Sequence, residues 1–222
     1  MCAVGGAVRK LLGTIIIAVA ALSLGGCSIT RSTIVPTVAN TTNPTEGTAI
    51  KIVAVSDQRV FELWPRSPST PSLGSETDVA NPAITNRAIA RKRGAYGLDS
   101  GDVLLPEGTT VASIVQDAVT NAYRESGYRV LSNADSGFDA AVPVDVKIKQ
   151  FWCWVTPGFW LLLENRIEVV ITAPQPGFEN GATVNGHATN QLMAVFESEW
   201  PKITSASLAD FNKNLKAQLK QK

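Results

Sequence analysis

The stretch Val142-Pro143-Val144-Asp145-Val146-Lys147-Ile148-Lys149-Gln150-Phe151-Trp152-Cys153-Trp154-Val155-Thr156-Pro157-Gly158 decides the fold. Val144, Val146 and Ile148 alternate with Asp145, Lys147 and Lys149. That is the period of a strand with one buried and one wet face. Pro157-Gly158 suits a tight turn. Beyond it Ile167, Val169 and Ile171 alternate with Arg166, Glu168 and Val170, so residues 159–172 return as a second strand and close a long hairpin. Ala182–Met193 is expected as a further strand after the Gly- and Pro-containing loop Pro174–Gly181.

Carried on unbroken, the alternation puts Trp152 and Trp154 on the face of Val144, and Phe151 and Cys153 on the other. With Phe159 and Trp160, aromatics then occupy both parities near the turn. Two readings fit. Aromatics bury large areas and anchor cores. At an exposed tip they suit a protein interface or the lipid headgroup region. Trp152, Trp154 and Trp160 are therefore binding candidates.

Upstream, Val111, Ile114, Val115, Ala118, Val119, Ala122 and Tyr123 make one complete apolar face, which predicts a helix over Thr109–Ser126. Thr109 or Thr110 can cap its start and Gly127 can end it in the left-handed conformation. Tyr128–Leu131 reads as a short strand. Ala49–Val55, apolar at both parities near its end, reads as a central strand covered on both faces. Downstream, Leu208, Phe211, Leu215 and Leu219 mark a helix over Ile203–Lys220, with Ser207 and Asp210 as a weak capping box. The order β–α–β–β–β–β–α predicts an α+β fold: a single domain, its mostly antiparallel sheet packed by two helices.

Between the first strand and the first helix, 56–108 shows no sustained period and contains Pro65, Pro68, Pro71, Pro82 and Pro106. Such a long loop insertion is usually functional or disordered. Trp64, a further binding candidate, lies in an apolar piece of it, Phe61–Arg66, which either plugs a groove on the domain or faces a partner. The basic piece holds Arg87, Arg91, Lys92 and Arg93; a short helix would align Arg87 with Arg91. The cluster either binds phosphate groups or an acidic partner, or is a solvated basic turn that Asp99, Asp102 and Glu107 neutralise.

Residues 1–26 have the three parts of a signal peptide: basic Arg9 and Lys10, the apolar run Leu11–Leu24, and small Gly25 and Gly26 before Cys27. The run falls short of the ~20 residues that cross a bilayer. Leu24-Gly25-Gly26-Cys27 resembles the lipobox of bacterial lipoproteins, which implies cleavage after Gly26 and acylation of Cys27. Ser28 resembles the outer-membrane sorting pattern. Ser28–Gly47, rich in Ser, Thr, Asn and Pro, reads as a flexible tether reaching on the order of 25 Å. The expected organisation is a signal over 1–26, a lipidated cysteine and tether over 27–47, and a periplasmic domain over 48–222.

The chain carries 20 basic and 19 acidic residues. Loss of Arg9 and Lys10 with the signal leaves 18 against 19, a near-neutral chain that argues against nucleic-acid binding. Cys153 is then the only unmodified cysteine and His187 the only histidine, so no disulfide, metal site or cofactor is expected. A Cys153–His187 nucleophile pair is formally possible, but nothing in the sequence supplies an orienting third group.

Arg59-Val60-Phe61, Pro71-Ser72-Leu73-Gly74, Ala90-Arg91-Lys92-Arg93, Gly101-Asp102-Val103-Leu104-Leu105 and Gly127-Tyr128-Arg129-Val130 together resemble the YajG-like lipoproteins of Gram-negative bacteria, over most of residues 50–220. Some look-alikes carry a flagellar-biosynthesis label. The resemblance implies an envelope lipoprotein and offers no catalytic residue to carry over. Three functions follow as expectations. The first is a non-enzymatic outer-membrane accessory protein, held by acyl chains on Cys27 and acting on an unidentified envelope protein through 56–108 and the Trp-bearing tip. The second is a binder of an anionic envelope ligand (phospholipid, lipopolysaccharide or cell-wall polymer). The third is a thiol-dependent enzyme.

Overall fold

The computed structural model describes residues 31–93 and 99–220. Gly26 and Cys27, and the cleavage and acylation expected there, lie outside the described residues. In chain order the elements are β1 (Ser32–Thr33), β2 (Ala49–Asp57), α1 (Glu76–Val79), α2 (Pro82–Thr85), β3 (Ala88–Arg93), β4 (Asp99–Leu104), α3 (Val111–Glu125), β5 (Arg129–Val130), β6 (Val142–Thr156), β7 (Leu161–Thr172), β8 (Ala182–Leu192) and α4 (Glu199–Leu219). The fold is α+β, with helices packed on a sheet of eight strands.

The sheet is mixed rather than mostly antiparallel. β6, β7 and β8 are antiparallel neighbours, whereas β2 and β3 both run parallel to β6. They share one edge of β6: β2 pairs along Val142–Ile148 and β3 at Cys153. The sheet therefore forks. One branch continues to β5, the other through β4 to β1.

At the fork β6 carries a bulge between Ile148 and Gln150. A bulge inserts a residue and reverses which face the following side chains address. Val144, Val146 and Ile148 face the main core before it; Phe151 and Cys153 face that core after it. Trp152 and Trp154 are thereby turned to the opposite face, where they join Leu73, Ala88 and Leu104 in a second core. The unbroken alternation expected from the sequence is corrected at this one residue.

α3 buries the whole predicted face, from Val111 to Tyr123. Thr110 and Ser113 form a reciprocal capping box, and Gly127 ends the helix at φ 86°. α4 buries the predicted Leu208, Phe211, Leu215 and Leu219, but begins earlier, at Glu199, because Pro201 is tolerated in a first turn. Ser207 is therefore mid-helix and buried, not a cap. β2 is central in the sheet but covered on one face only; Val53 is half exposed.

Two further expectations are corrected. The 56–108 region contains β3, β4 and two short helices. Ala88, Ile89, Ala90 and Arg91 are all buried, so this strand shows no alternation to read. The 31–47 part of the expected tether lies along the folded unit. β1 pairs with β4, Ile34 is buried, the Thr37 N–H donates to Ser205 Oγ (2.8 Å), and Asn43 Oδ1 accepts from the Val130 N–H (2.8 Å). Ser, Thr and Asn side chains here supply hydrogen bonds that an apolar pattern would not reveal.

Candidate functional site

Arg59 holds the fork together. Its side chain is fully buried and pairs with Asp57 at the end of β2 (Nη2–Oδ2 2.7 Å). It also donates to the carbonyls of Phe151 (3.1 Å), Ala88 (2.6 Å) and Thr85 (2.8 Å). Phe151 lies where β2 has ended and β3 has not yet paired, so its carbonyl would otherwise lack a partner on that side. One guanidinium thus joins β2, β6, β3 and α2. Sequence reading passed over this role because a lone Arg in a loop looks like a surface residue.

The segment that starts at Arg59 then lies over the second core. Phe61 meets Trp152 edge-on with centroids 5.9 Å apart, and Trp152 Nε1 donates to the Pro68 carbonyl (3.2 Å). Trp152 and Trp154 are buried. As binding candidates they are corrected: the insertion covers them. Trp64 remains exposed, with the Arg91 guanidinium 4.9 Å from its ring centroid.

The basic cluster is likewise distributed within the fold. No short helix aligns Arg87 with Arg91; the segment is the strand β3. Arg87 Nε donates to the Leu105 carbonyl (2.9 Å) and the buried Arg91 to the Leu73 carbonyl (2.7 Å). The register sets Asp102 opposite Arg91. Lys92 pairs with Glu197, and its ammonium holds that carboxyl below the usual carboxylate range. Arg93, partly buried at the end of β3, faces Asp99 in the register. These four residues do not converge on a common anion site.

Cys153 and His187 are on opposite faces. Cys153 lies in register with Asn165, which hydrogen-bonds Thr204 of α4, so Cys153 faces the helix layer. Burial pushes its thiol pKa up. His187 is exposed on the other face, 3.5 Å from Glu164. The two cannot form a nucleophile–base pair in this arrangement.

Exposed apolar side chains gather at the turn end of the β6–β7 hairpin. Phe159 is 96% exposed, Trp160 47%, Met193 83% and Phe196 69%. Leu161 pairs with Leu192, which sets Trp160 beside Met193. Trp160 is the one predicted tryptophan of the tip that stays accessible. Met193 and Phe196 carried no sequence signal, because no period marks a short connection.

The adjoining edge of β8 is half closed. Asp210, Asn214 and Gln218, spaced four apart on α4, bind the His187 N–H (3.1 Å), the Asn185 carbonyl (2.9 Å) and the Thr183 carbonyl (3.1 Å). The equivalent position one turn earlier is Ala206, which has no polar side chain. Thr189 and Gln191, two and four residues beyond His187, aim their backbone groups the same way. No other strand pairs with that edge among the described residues.

At the other end of the molecule an open cleft of about 840 Å³ lies between α3, β2 and residues 38–40. Its charged residues are partly engaged: Lys51 donates to the Asp139 carbonyl (2.9 Å) and Arg124 to the Thr41 carbonyl (3.1 Å). Burial raises the pKa of Asp117 on its wall.

No protein-family model matches the chain, and no curated protein matches it. Among solved structures it is similar to the crystal structure of protein XCC0632 from Xanthomonas campestris, described with the family-model DUF330, at 10% identity and a TM-score of 0.42, covering 86% of this chain and 92% of that one. It is also similar to an uncharacterized protein at 9% identity and a TM-score of 0.40, covering 78% of this chain and 99% of that one. The resemblance to the YajG-like lipoproteins is not confirmed by these similarities.

Proposed function

We propose that this chain is a lipid-anchored, non-enzymatic accessory protein of the Gram-negative outer membrane, facing the periplasm and holding an envelope protein at the open end of β8. The anchor rests on the lipobox at 24–27. The reading of a protein partner is carried by one contrast: the β8 edge is capped by α4 at Thr183, Asn185 and His187, whereas no described residue caps it at Thr189 and Gln191. Natural sheets block the edges that must stay unpaired. An edge closed along one half and left open along the other suits addition of a short partner strand.

Each backbone hydrogen bond so gained adds only about 1 kcal/mol. The partner must therefore add side-chain contacts, and attachment of both proteins to one envelope raises their effective concentration.

The test is photo-crosslinking in living cells with probes at Thr189, Gln191 and Thr183. A recurrent protein adduct at 189 and 191, absent at 183, is the expected result; equal labelling at all three positions, or none, contradicts it. In parallel, Cys27→Ala is expected to leave unprocessed precursor that takes up no fatty-acid label. The ligand-binding alternative, built on Arg87, Arg91, Lys92 and Arg93, is the less supported reading, since Arg87 and Arg91 donate to the Leu105 and Leu73 carbonyls and Lys92 pairs with Glu197.

A further inference from the structure

We infer that the apolar end built by Phe159, Trp160, Met193 and Phe196 is seated in the headgroup region of the bilayer that carries the Cys27 acyl chains. This rests on the acylation reading above.

The first argument is where the described chain begins. Ser32 lies close to Glu197, which directly follows Phe196. β1 pairs in parallel with β4, Ser32 opposite Val103, and β4 runs antiparallel to β3. β3 runs with β6 toward the hairpin turn. β1 therefore runs away from that turn, and the chain enters the folded unit from the apolar end. Ser32 follows Cys27 by five residue steps, a span of at most about 18 Å. β6 alone, with 15 residues, extends on the order of 50 Å. An anchor at Cys27 thus reaches the turn end of the sheet and not the opposite end.

The second argument is chemical. Tryptophan and phenylalanine favour the membrane interface, where an apolar ring can leave water without a shaped receptor. Phe159 and Trp160 meet edge-on at 5.6 Å, so the tip presents two apposed rings. Phe159, Met193 and Phe196 are each more than two-thirds exposed, and they come from two connections that the Leu161–Leu192 pair brings side by side. Glu197, the acid directly after Phe196, is paired with Lys92. Its charge is compensated, so it opposes approach to anionic headgroups less than a lone carboxylate does.

The experiment uses the full acylated protein in vesicles of phosphatidylethanolamine with phosphatidylglycerol. Single substitutions Phe159→Cys, Phe196→Cys, Val60→Cys and Glu179→Cys each receive an environment-sensitive fluorophore; Cys153 is buried and Cys27 is blocked by acylation. The expected result is blue-shifted emission at 159 and 196, lost on addition of lipids bearing a spin label in the upper acyl chain and resistant to aqueous iodide. Positions 60 and 179 are expected to behave oppositely. Iodide quenching at 159 and 196 equal to that at 60 and 179 overturns the proposal. So does shielding from iodide without quenching by the labelled lipid, which is the pattern of a protein covering the tip. The mass of the Cys27 peptide separates the two levels. An unmodified Cys27 refutes the anchor and the seat together, whereas an acylated Cys27 with water-exposed probes refutes the seat alone.

Discussion

One hairpin carries two kinds of aromatic residue. Trp152 and Trp154 are 1% and 5% exposed, whereas Phe159, a few residues on, is 96% exposed and Trp160 47%. The strand does not make this difference. The insertion fixed by Arg59 covers the outer face of β6 as far as Trp154, and β6 extends past it into the turn. An aromatic on this hairpin is structural where another segment has been built over it and available where none has. Clusters of tryptophan therefore say little about binding until the cover is known.

The comparison breaks most visibly at its buried half. Trp152→Ala is expected to cost about 3–5 kcal/mol, through lost burial and the cavity left under Phe61. Phe159→Ser is expected to stay within about 0.5 kcal/mol. Urea unfolding of both variants measures the difference, and a Trp152→Ala loss as small as that of Phe159→Ser would show the cover to be loose. Next in size, Arg59→Met takes the guanidinium from Asp57, which keeps only the backbone N–H of residue 59, and from three carbonyls, at about 3 kcal/mol. Limited proteolysis is expected to cut first within 60–85, where the insertion loses its tie to the fork; cleavage elsewhere with 60–85 intact would contradict that.

A smaller effect tests the helix-covered face. A Cβ on Gly186 would lie 2.4 Å from the Ser207 carbonyl oxygen and 2.6 Å from Phe211 Cβ. Gly186→Ala is expected to cost about 1–3 kcal/mol by overpacking, read in the same urea experiment. Smallest is the acid dependence. Lys216 holds the Glu125 carboxyl, and Lys92 the Glu197 carboxyl, below the usual carboxylate range. Their contribution is therefore fully present above that range and disappears as pH falls through the lowered folded-state values. Both pairs reach solvent, so each is worth less than about 1 kcal/mol. Glu125→Gln is expected to remove its share of the stability difference between neutral and acid pH and to leave acid stability unchanged.

Much of the helix-covered layer was legible in the sequence. The apolar faces of α3 and α4 repeat at helical spacing, and Val144–Ile148 alternates cleanly. Gly127 ends its helix for the backbone reason expected of it. The other face was not legible. The bulge after Ile148 leaves no mark in residue type, yet it moves Trp152 and Trp154 across the sheet. β3 is buried on both sides and so lacks a period. Arg59 and Arg91 are charged residues whose partners are mostly carbonyls, which sequence does not display. Of the predicted site, Trp64 and Trp160 remain exposed, while Met193 and Phe196 became visible only through the Leu161–Leu192 register.

The most direct test of the covered-base, open-tip division is hydroxyl-radical footprinting of the unacylated protein in membrane-free solution, following oxidation of its five tryptophans by mass spectrometry. Fast oxidation at Trp64 and Trp160 with strong protection at Trp152, Trp154 and Trp200 is the expected result. Reactivity at Trp152 or Trp154 equal to that at Trp160 would contradict it.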